Sequence, residues 1–126
     1  MSDQFFDVSA FAYAHRGLWD VALPENSVAA FEAARAAGLG VELDVRLTSD
    51  GVPVVFHDAS LERMCNHRDW LWALPLSDLG YWPLPDGTQI PTLEAVLDIM
   101  GDNPALIELK VDGHTGCCSA PSWQRS

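Results

Sequence analysis

The chain is poor in basic residues. It has seven, only one of them a lysine, against 18 acidic side chains, and its formal net charge is −11. A surface that binds nucleic acid needs a basic stripe that neutralises phosphates, so this composition argues against a nucleic-acid partner. The chain also lacks a run of about 18 uncharged apolar residues, which a membrane-spanning helix requires. We therefore expect neither nucleic-acid binding nor membrane insertion.

Cysteine is scarce as well. Cys65, Cys117 and Cys118 give an odd count with two neighbours in sequence, which matches neither a disulfide framework nor the spacing of a zinc site. The first residues include Asp3 and Asp7, where a secretory signal would carry positive charge. We therefore expect a cytoplasmic protein.

The length of 126 residues, of which 48% are hydrophobic, indicates one globular domain. A complete (β/α) barrel is excluded at this length, because it needs about 250 residues.

Short strand-like runs alternate with helical segments along the chain. We predict strands at 11–14, 41–47, 52–56 and 105–111, and helices at 27–37 and 93–100. Residues 59–89 are less regular and predict loops with a helical turn near 77–80. Strands that recur with helices between them are typical of parallel βα units, in which ligands gather at the carboxyl ends of the strands.

Three carboxylates lie on predicted strands. Glu42 and Asp44 are two residues apart and project from the same strand face, and Glu108 has the same placement on a later strand. The first two could form the solvated face of an amphipathic antiparallel strand. Together with Glu108, however, they favour an oxygen-rich site suited to Mg²⁺ or Ca²⁺.

Two histidines follow apolar strands, and cationic side chains accompany the set. His15 and His57 are suited as a pair to general acid and general base chemistry, although each alone is more typical of a structural histidine. Arg16 offers a planar fork for phosphate oxygens. Lys110 either neutralises the carboxylates or contacts substrate.

Six short motifs occur in an order that is similar to that of the glycerophosphodiester phosphodiesterase family. The resemblance covers about residues 11–110. The motifs are His15-Arg16-Gly17, Pro24-Glu25-Asn26-Ser27, Glu42-Leu43-Asp44-Val45, Asp50-Gly51-Val52-Pro53-Val54-Val55-Phe56-His57-Asp58, Ile90-Pro91-Thr92-Leu93-Glu94 and Glu108-Leu109-Lys110.

The resemblance implies an α/β fold, a parallel (β/α) barrel of the TIM type. This chain would contain about its first four strands, so the barrel would be incomplete. The implied activity is that of a phosphoric diester hydrolase: metal-dependent hydrolysis of glycerophosphodiesters to glycerol 3-phosphate and an alcohol. The implied partner is a small phosphodiester substrate, and the implied cofactor is a divalent cation, Mg²⁺ or Ca²⁺.

The resemblance also implies a role for each matching residue. Glu42, Asp44 and Glu108 match divalent-metal ligands, His15 and His57 match an acid–base pair, and Arg16 matches a phosphate contact; Lys110 is assigned to substrate binding beside them. Which histidine is the acid and which the base stays open at this point.

The motif pattern ends at Lys110. We expect residues 1–110 to be the N-terminal part of a barrel domain and residues 111–126 to be an aberrant, disordered tail from a truncated or frameshifted reading frame. Self-association through exposed sheet edges is a further hypothesis. Two alternatives to the phosphodiesterase activity stay open. One is a non-catalytic barrel remnant that binds a metal or a partner, and the other is a related enzyme for lysophospholipid or inositol-type substrates.

Overall fold

The computed structural model describes residues 12–20 and 22–110. The elements along the chain are β1 (Tyr13–His15), α1 (Val28–Ala36), β2 (Gly40–Leu47), β3 (Pro53–Val55), α2 (Glu62–Cys65), a 3₁₀ turn (Leu71–Ala73), α3 (Leu76–Leu79), α4 (Leu93–Met100) and β4 (Ala105–Leu109). The predicted tail, with Cys117 and Cys118, lies outside the described residues.

Capping residues fix where the two longer helices begin. The Ser27 hydroxyl accepts a hydrogen bond from the backbone N–H of Ala30 at the start of α1, and the Thr92 hydroxyl does the same for Ala95 at the start of α4. Each satisfies one of the unpaired N–H groups of a first helical turn. Asn26 and Ser27 both have side chains that can cap a helix, and Ser27 has that role in α1.

Strand β2 lies at the centre of a four-stranded sheet. Strands β1 and β4 both pair with it in parallel, with Asp44 of β2 opposite Glu108 of β4. Helices α1 and α4 pack against one face of the sheet, through a core that includes Phe31, Val41 and Met100. This arrangement confirms the α/β class and the parallel βα units on either side of β2.

The expectation that all four strands belong to a parallel set is wrong for β3. Strand β3 pairs with the second half of β2 in the antiparallel sense, with Val45 opposite Val55. A tight turn at residues 48–52 connects them, in which Gly51 has φ +80° and its N–H donates to the Thr48 carbonyl. A parallel connection needs about a dozen residues or more, so this turn can only reverse the chain. Within the described residues, the barrel is incomplete and not closed.

Residues 59–89, predicted mainly as loops, enclose a second apolar cluster together with Val54, Phe56 and Ile90. Phe56, Leu61, Leu71 and Leu79 are among its fully buried members. His67 stacks on the Trp82 ring with a 3.5 Å centroid separation. The segment is thus a packed lobe with little regular structure.

Cys65 belongs to this second cluster, where burial raises the pKa of its thiol to about 11. Among the residues that the structure describes, no helix is long and apolar enough to cross a membrane. The cytoplasmic location stays a prediction.

Candidate active site

A cleft of about 280 Å³ opens on the face of the sheet opposite α1 and α4. It is lined by His15, Glu42, Leu43, Asp44, Leu106, Ile107 and Glu108. The register explains this set: His15 of β1 pairs with Glu42 of β2, and Asp44 of β2 pairs with Glu108 of β4. Register partners on parallel strands project from the same face of the sheet. Four of the predicted site residues therefore line one cleft.

Asp44 is the buried centre of this group, with only 5% of its surface exposed. Its Oδ2 accepts a hydrogen bond from Asn26 Nδ2 at 3.2 Å and lies 3.7 Å from Arg16 Nε. Its Oδ1 lies 3.6 Å from Lys110 Nζ. A buried carboxylate is tolerated where cations and hydrogen-bond donors compensate for lost hydration. Arg16 and Lys110, predicted to contact substrate, thus lie beside the predicted metal ligand.

Backbone strain accompanies two of the Asp44 neighbours. Arg16 (φ +59°) and Asn26 (φ +55°) both adopt the left-handed conformation, and the Asn26 N–H donates to the Arg16 carbonyl at 2.8 Å. Such a conformation is uncommon for residues other than glycine and persists where the surroundings require it. Here it aims both side chains at Asp44.

Glu42 and Glu108, about half exposed at the side chain, each approach a cationic or ionisable group. Glu42 Oε1 lies 3.9 Å from His15 Nε2, and Glu108 Oε2 lies 3.0 Å from Lys110 Nζ. Within residues 12–20 and 22–110, no three His, Cys, Asp or Glu side chains are gathered as a metal ion would need. The chemistry of the donor set nevertheless fits an oxygen-preferring cation, because three carboxylates face one cleft. The three-carboxylate metal site stays a prediction.

His57 lies outside the cleft lining and is held by other residues. Its Nδ1 is 2.8 Å from Asp58 Oδ1, and its backbone carbonyl accepts hydrogen bonds from the Arg46 guanidinium at 2.7 and 3.0 Å. Hydrogen bonds from Arg63 lower the pKa of Asp58 to about 2 against the opposing effect of burial, and His57 contributes further. Asp58 is therefore an anion that can only accept hydrogen bonds.

Sequence reasoning missed the residues that hold the predicted ones. Asn26, Glu25, Asp58, Arg46 and Arg63 all contact a predicted site residue or each other. Glu25, Asn26 and Asp58 lie in two of the six family motifs, so their position near the site could have been predicted from the sequence. Arg46 and Arg63 gave no comparable signal, because a lone arginine is most often a surface residue.

Comparison with known proteins identifies the family to which this architecture belongs. Residues 15–116 match the profile of the Glycerophosphoryl diester phosphodiesterase family. The chain belongs to this family. The match begins at His15 and includes every predicted site residue.

Individual members of the glycerophosphoryl diester phosphodiesterase family are similar over most of the chain. A glycerophosphodiester phosphodiesterase of Caldanaerobacter subterraneus is 35% identical over 106 residues, which are 78% of this chain and 43% of the relative. Glycerophosphodiester phosphodiesterase 1 of Mus musculus is 37% identical over 121 residues, 86% of this chain and 36% of the relative. The chain spans less than half the length of these relatives.

Solved structures of the family share the fold. An Oleispira antarctica phosphodiesterase, solved in complex with the product sn-glycerol-3-phosphate, has a TM-score of 0.74 and 31% identity, over 82% of this chain and 46% of that one. A glycerophosphodiester phosphodiesterase of Thermotoga maritima has a TM-score of 0.71 and 38% identity, over 80% of this chain and 44% of that one. The family resemblance is thus confirmed, and the roles of the individual site residues stay predictions.

Proposed function

We propose that the cleft is the active site of a metal-dependent glycerophosphodiester phosphodiesterase, which produces glycerol 3-phosphate and an alcohol. The observation that carries the proposal is the grouping of His15, Glu42, Asp44 and Glu108 in one cleft of a chain that belongs to this family. The product complex of the Oleispira antarctica relative supports a glycerol phosphate as the recognised half of the substrate.

Two cationic side chains beside Asp44 would bind the phosphodiester. The Arg16 side chain is 21% exposed and its Nε lies 3.7 Å from Asp44 Oδ2, so it would bring positive charge to a phosphate bound beside Asp44. Lys110 Nζ, between Asp44 and Glu108, supplies a second positive charge. Such donors bind phosphate oxygens strongly because both partners are charged. The positive charge at this place would favour binding of an anionic substrate, although the net charge of the protein is negative.

Glu42, Asp44 and Glu108 would hold a divalent cation, Mg²⁺ or Ca²⁺. When bound, such a cation supplies charge that neutralises phosphate oxygens and favours attack at phosphorus. Asp44, fixed by Asn26 and by burial, would provide the rigid ligand. Glu42 and Glu108 are half-exposed and would complete the set from the open side.

His15 and His57 would transfer the protons. One histidine removes the proton from the glycerol hydroxyl next to the phosphate, so that this oxygen attacks phosphorus, and the other protonates the departing alcohol oxygen. Water then opens the resulting cyclic phosphate, with the two proton transfers reversed, to give glycerol 3-phosphate. An imidazole can both accept and donate a proton, which suits both roles.

The direct test is to incubate the purified chain with glycerophosphocholine and Mg²⁺ or Ca²⁺. Hydrolysis is measured as the release of glycerol 3-phosphate. We expect His15→Ala to lower kcat by about 100-fold or more, because a general acid or base contributes that much. Tyr81→Ala, at an exposed aromatic residue outside the cleft, is the matched control and should leave the rate unchanged. Equal rates for wild type and His15→Ala would refute the proposal.

The same protein separates the two alternatives. A chain that is stabilised by the cation in a thermal melt, but releases no product, is a non-catalytic remnant that binds metal. Asp44→Asn should abolish that stabilisation if the carboxylates are the ligands. Faster turnover of a lysophospholipid or an inositol-type diester than of glycerophosphocholine would assign the related substrate class instead.

A further inference from the structure

Arg63 links two carboxylates that come from different parts of the chain. Its Nε and Nη2 donate to both oxygens of Asp58, at 2.8 and 3.0 Å. Its Nη1 and Nη2 donate to both oxygens of Glu25, at 3.1 and 2.8 Å. Four of the five N–H donors of the guanidinium are thereby directed to two anions.

The two carboxylates each hold a residue of the proposed acid, base or phosphate-binding set. Asp58 Oδ1 contacts His57 Nδ1 at 2.8 Å. Glu25, only 7% exposed, accepts from Arg16 Nη1 at 3.2 and 3.3 Å. A continuous series of charged contacts therefore runs from His57 through Arg63 to Arg16.

We propose that Arg63 is a positioning residue, which fixes the tautomer of His57 through Asp58 and the orientation of Arg16 through Glu25. The proposal rests on the proposed function only for its effect on catalysis. Its structural part concerns contacts within this chain and can be tested without substrate.

The tautomer follows from the hydrogen-bonding capacity of each partner. Asp58 is ionised and accepts from Arg63 with both oxygens, so the hydrogen between Asp58 and His57 must belong to His57 Nδ1. In a neutral imidazole the other nitrogen, Nε2, then carries the lone pair. His57 is thus held ready to accept a proton at Nε2.

The second contact of Arg63 compensates a buried charge. Burial alone would raise the pKa of Glu25, but hydrogen bonds and charge from Arg63 and then Arg16 lower it overall. Glu25 therefore stays an anion beside Arg16 and limits the directions in which that guanidinium can point. A lysine at position 63 has a single point of charge and lacks the fork that spans both carboxylates.

If Arg63 only holds α2 in place, its replacement changes the stability of the protein and nothing else. If Arg63 is a positioning residue, its replacement also changes which nitrogen of His57 carries the proton. The tautomer in a folded Arg63 variant separates the two. Asp58→Asn leaves the Arg63–Glu25 contact in place and shows the effect of removing only the anion that faces His57.

The experiment is long-range ¹H–¹⁵N spectroscopy of ¹⁵N-histidine-labelled full-length chain, with His57→Gln used to assign the His57 signals. We expect Nδ1–H to predominate in wild type. It should become the minor form in Asp58→Asn, which lacks the anion, and in Arg63→Met, in which Asp58 stays an anion but is no longer held against His57. Arg68→Met changes an exposed arginine of the same lobe and should leave the tautomer as in wild type. Circular dichroism shows which variants are folded, and Arg63→Lys, which keeps the charge but lacks the fork to Asp58, decides the question if Arg63→Met does not fold.

Retention of Nδ1–H in a folded Arg63→Met or Asp58→Asn variant would overturn the proposal, as would an equal change in Arg68→Met. In the activity arm, Arg63→Lys should lower kcat by about 10- to 100-fold, with KM changed far less. An unchanged kcat would overturn the catalytic part. If the wild type hydrolyses nothing, the proposed function fails for this chain, while the tautomer of His57 still decides the role of Arg63.

Discussion

The Asp44 carboxylate shows what a single residue contributes to this site. It is almost fully buried, and its neighbours are the amide of Asn26, the guanidinium of Arg16 and the ammonium of Lys110. One buried anion thus lies next to two cations. Asp44 therefore contributes to the orientation of the two side chains that we propose to bind substrate.

Asp58 allows a prediction about acid stability. Its pKa is lowered to about 2 from 3.8, so it contributes stability that is fully present above about pH 4 and lost as the pH falls toward 2. We expect Asp58→Asn to reduce the free energy of unfolding by about 2 kcal/mol at pH 6. Urea unfolding at a series of pH values measures it.

The pH dependence is the decisive part of this experiment. The difference between wild type and Asp58→Asn should shrink as the pH falls from about 4 toward 2, because the wild-type carboxyl becomes protonated there. Asp86→Asn, at an exposed loop position whose carboxylate contacts only Thr88 in the described structure, is the control. A difference for Asp58→Asn that is independent of pH would contradict the assignment.

The elements were predictable where local chemistry decides them. Ser27 and Thr92 lie where caps are expected, and α1 and α4 begin directly after them. The alternation of apolar and polar residues in β2 could also be predicted, and Val41 and Val45 lie in the core. Asp44, in contrast, faces the cleft and is buried there, because neighbouring β-strands and the turn after β1 enclose it.

The direction of β3 was predicted wrongly, although Asp50-Gly51, a dipeptide typical of tight turns, lies between it and β2. A five-residue connection excludes a parallel neighbour, so loop length carried the missing signal. The contacts of Arg63 with Glu25 and Asp58 were beyond the sequence for another reason. Arg63 is 38 positions from Glu25 and five positions from Asp58 in the sequence, and only the packing of the folded chain brings the three side chains together.

The cap of α4 provides a prediction at the scale of one element. Thr92→Ala removes the hydroxyl that accepts from the Ala95 N–H at 3.2 Å, and we expect a loss of about 1 kcal/mol in the free energy of unfolding. Thr92→Ser keeps the acceptor and should lose much less. Urea unfolding compares the three proteins, and equal losses in both variants would show that the hydroxyl is not the cause.

At the scale of the whole molecule, positive charge is concentrated at the site. Of the seven basic residues in the chain, three contact predicted site residues: Arg16, Arg46 and Lys110. Arg63 contacts Asp58 beside His57. Elsewhere in residues 12–20 and 22–110, acidic side chains outnumber the two further basic ones, Arg35 and Arg68. Such a distribution repels polyanions in general and attracts a small anion at one place.

The sheet edges carry the prediction for the whole molecule. Among the described residues, β1 and β4 each pair only with β2, and Leu106 and Ile107 of β4 are 37% and 42% exposed. An exposed edge with apolar side chains favours pairing with another strand. We expect the chain to self-associate in a concentration-dependent way, measured by sedimentation velocity.

A charged residue on the edge strand tests this expectation, because lysine on an edge disfavours strand pairing. Ile107→Lys should shift the sedimentation profile toward the monomer at concentrations where the wild type associates. Tyr81→Lys adds the same charge at a position that is 74% exposed and outside the sheet, so it controls for the change in net charge. If Tyr81→Lys disperses the protein as well as Ile107→Lys does, charge rather than the β4 edge governs association. A wild type that stays monomeric at every concentration would refute self-association altogether.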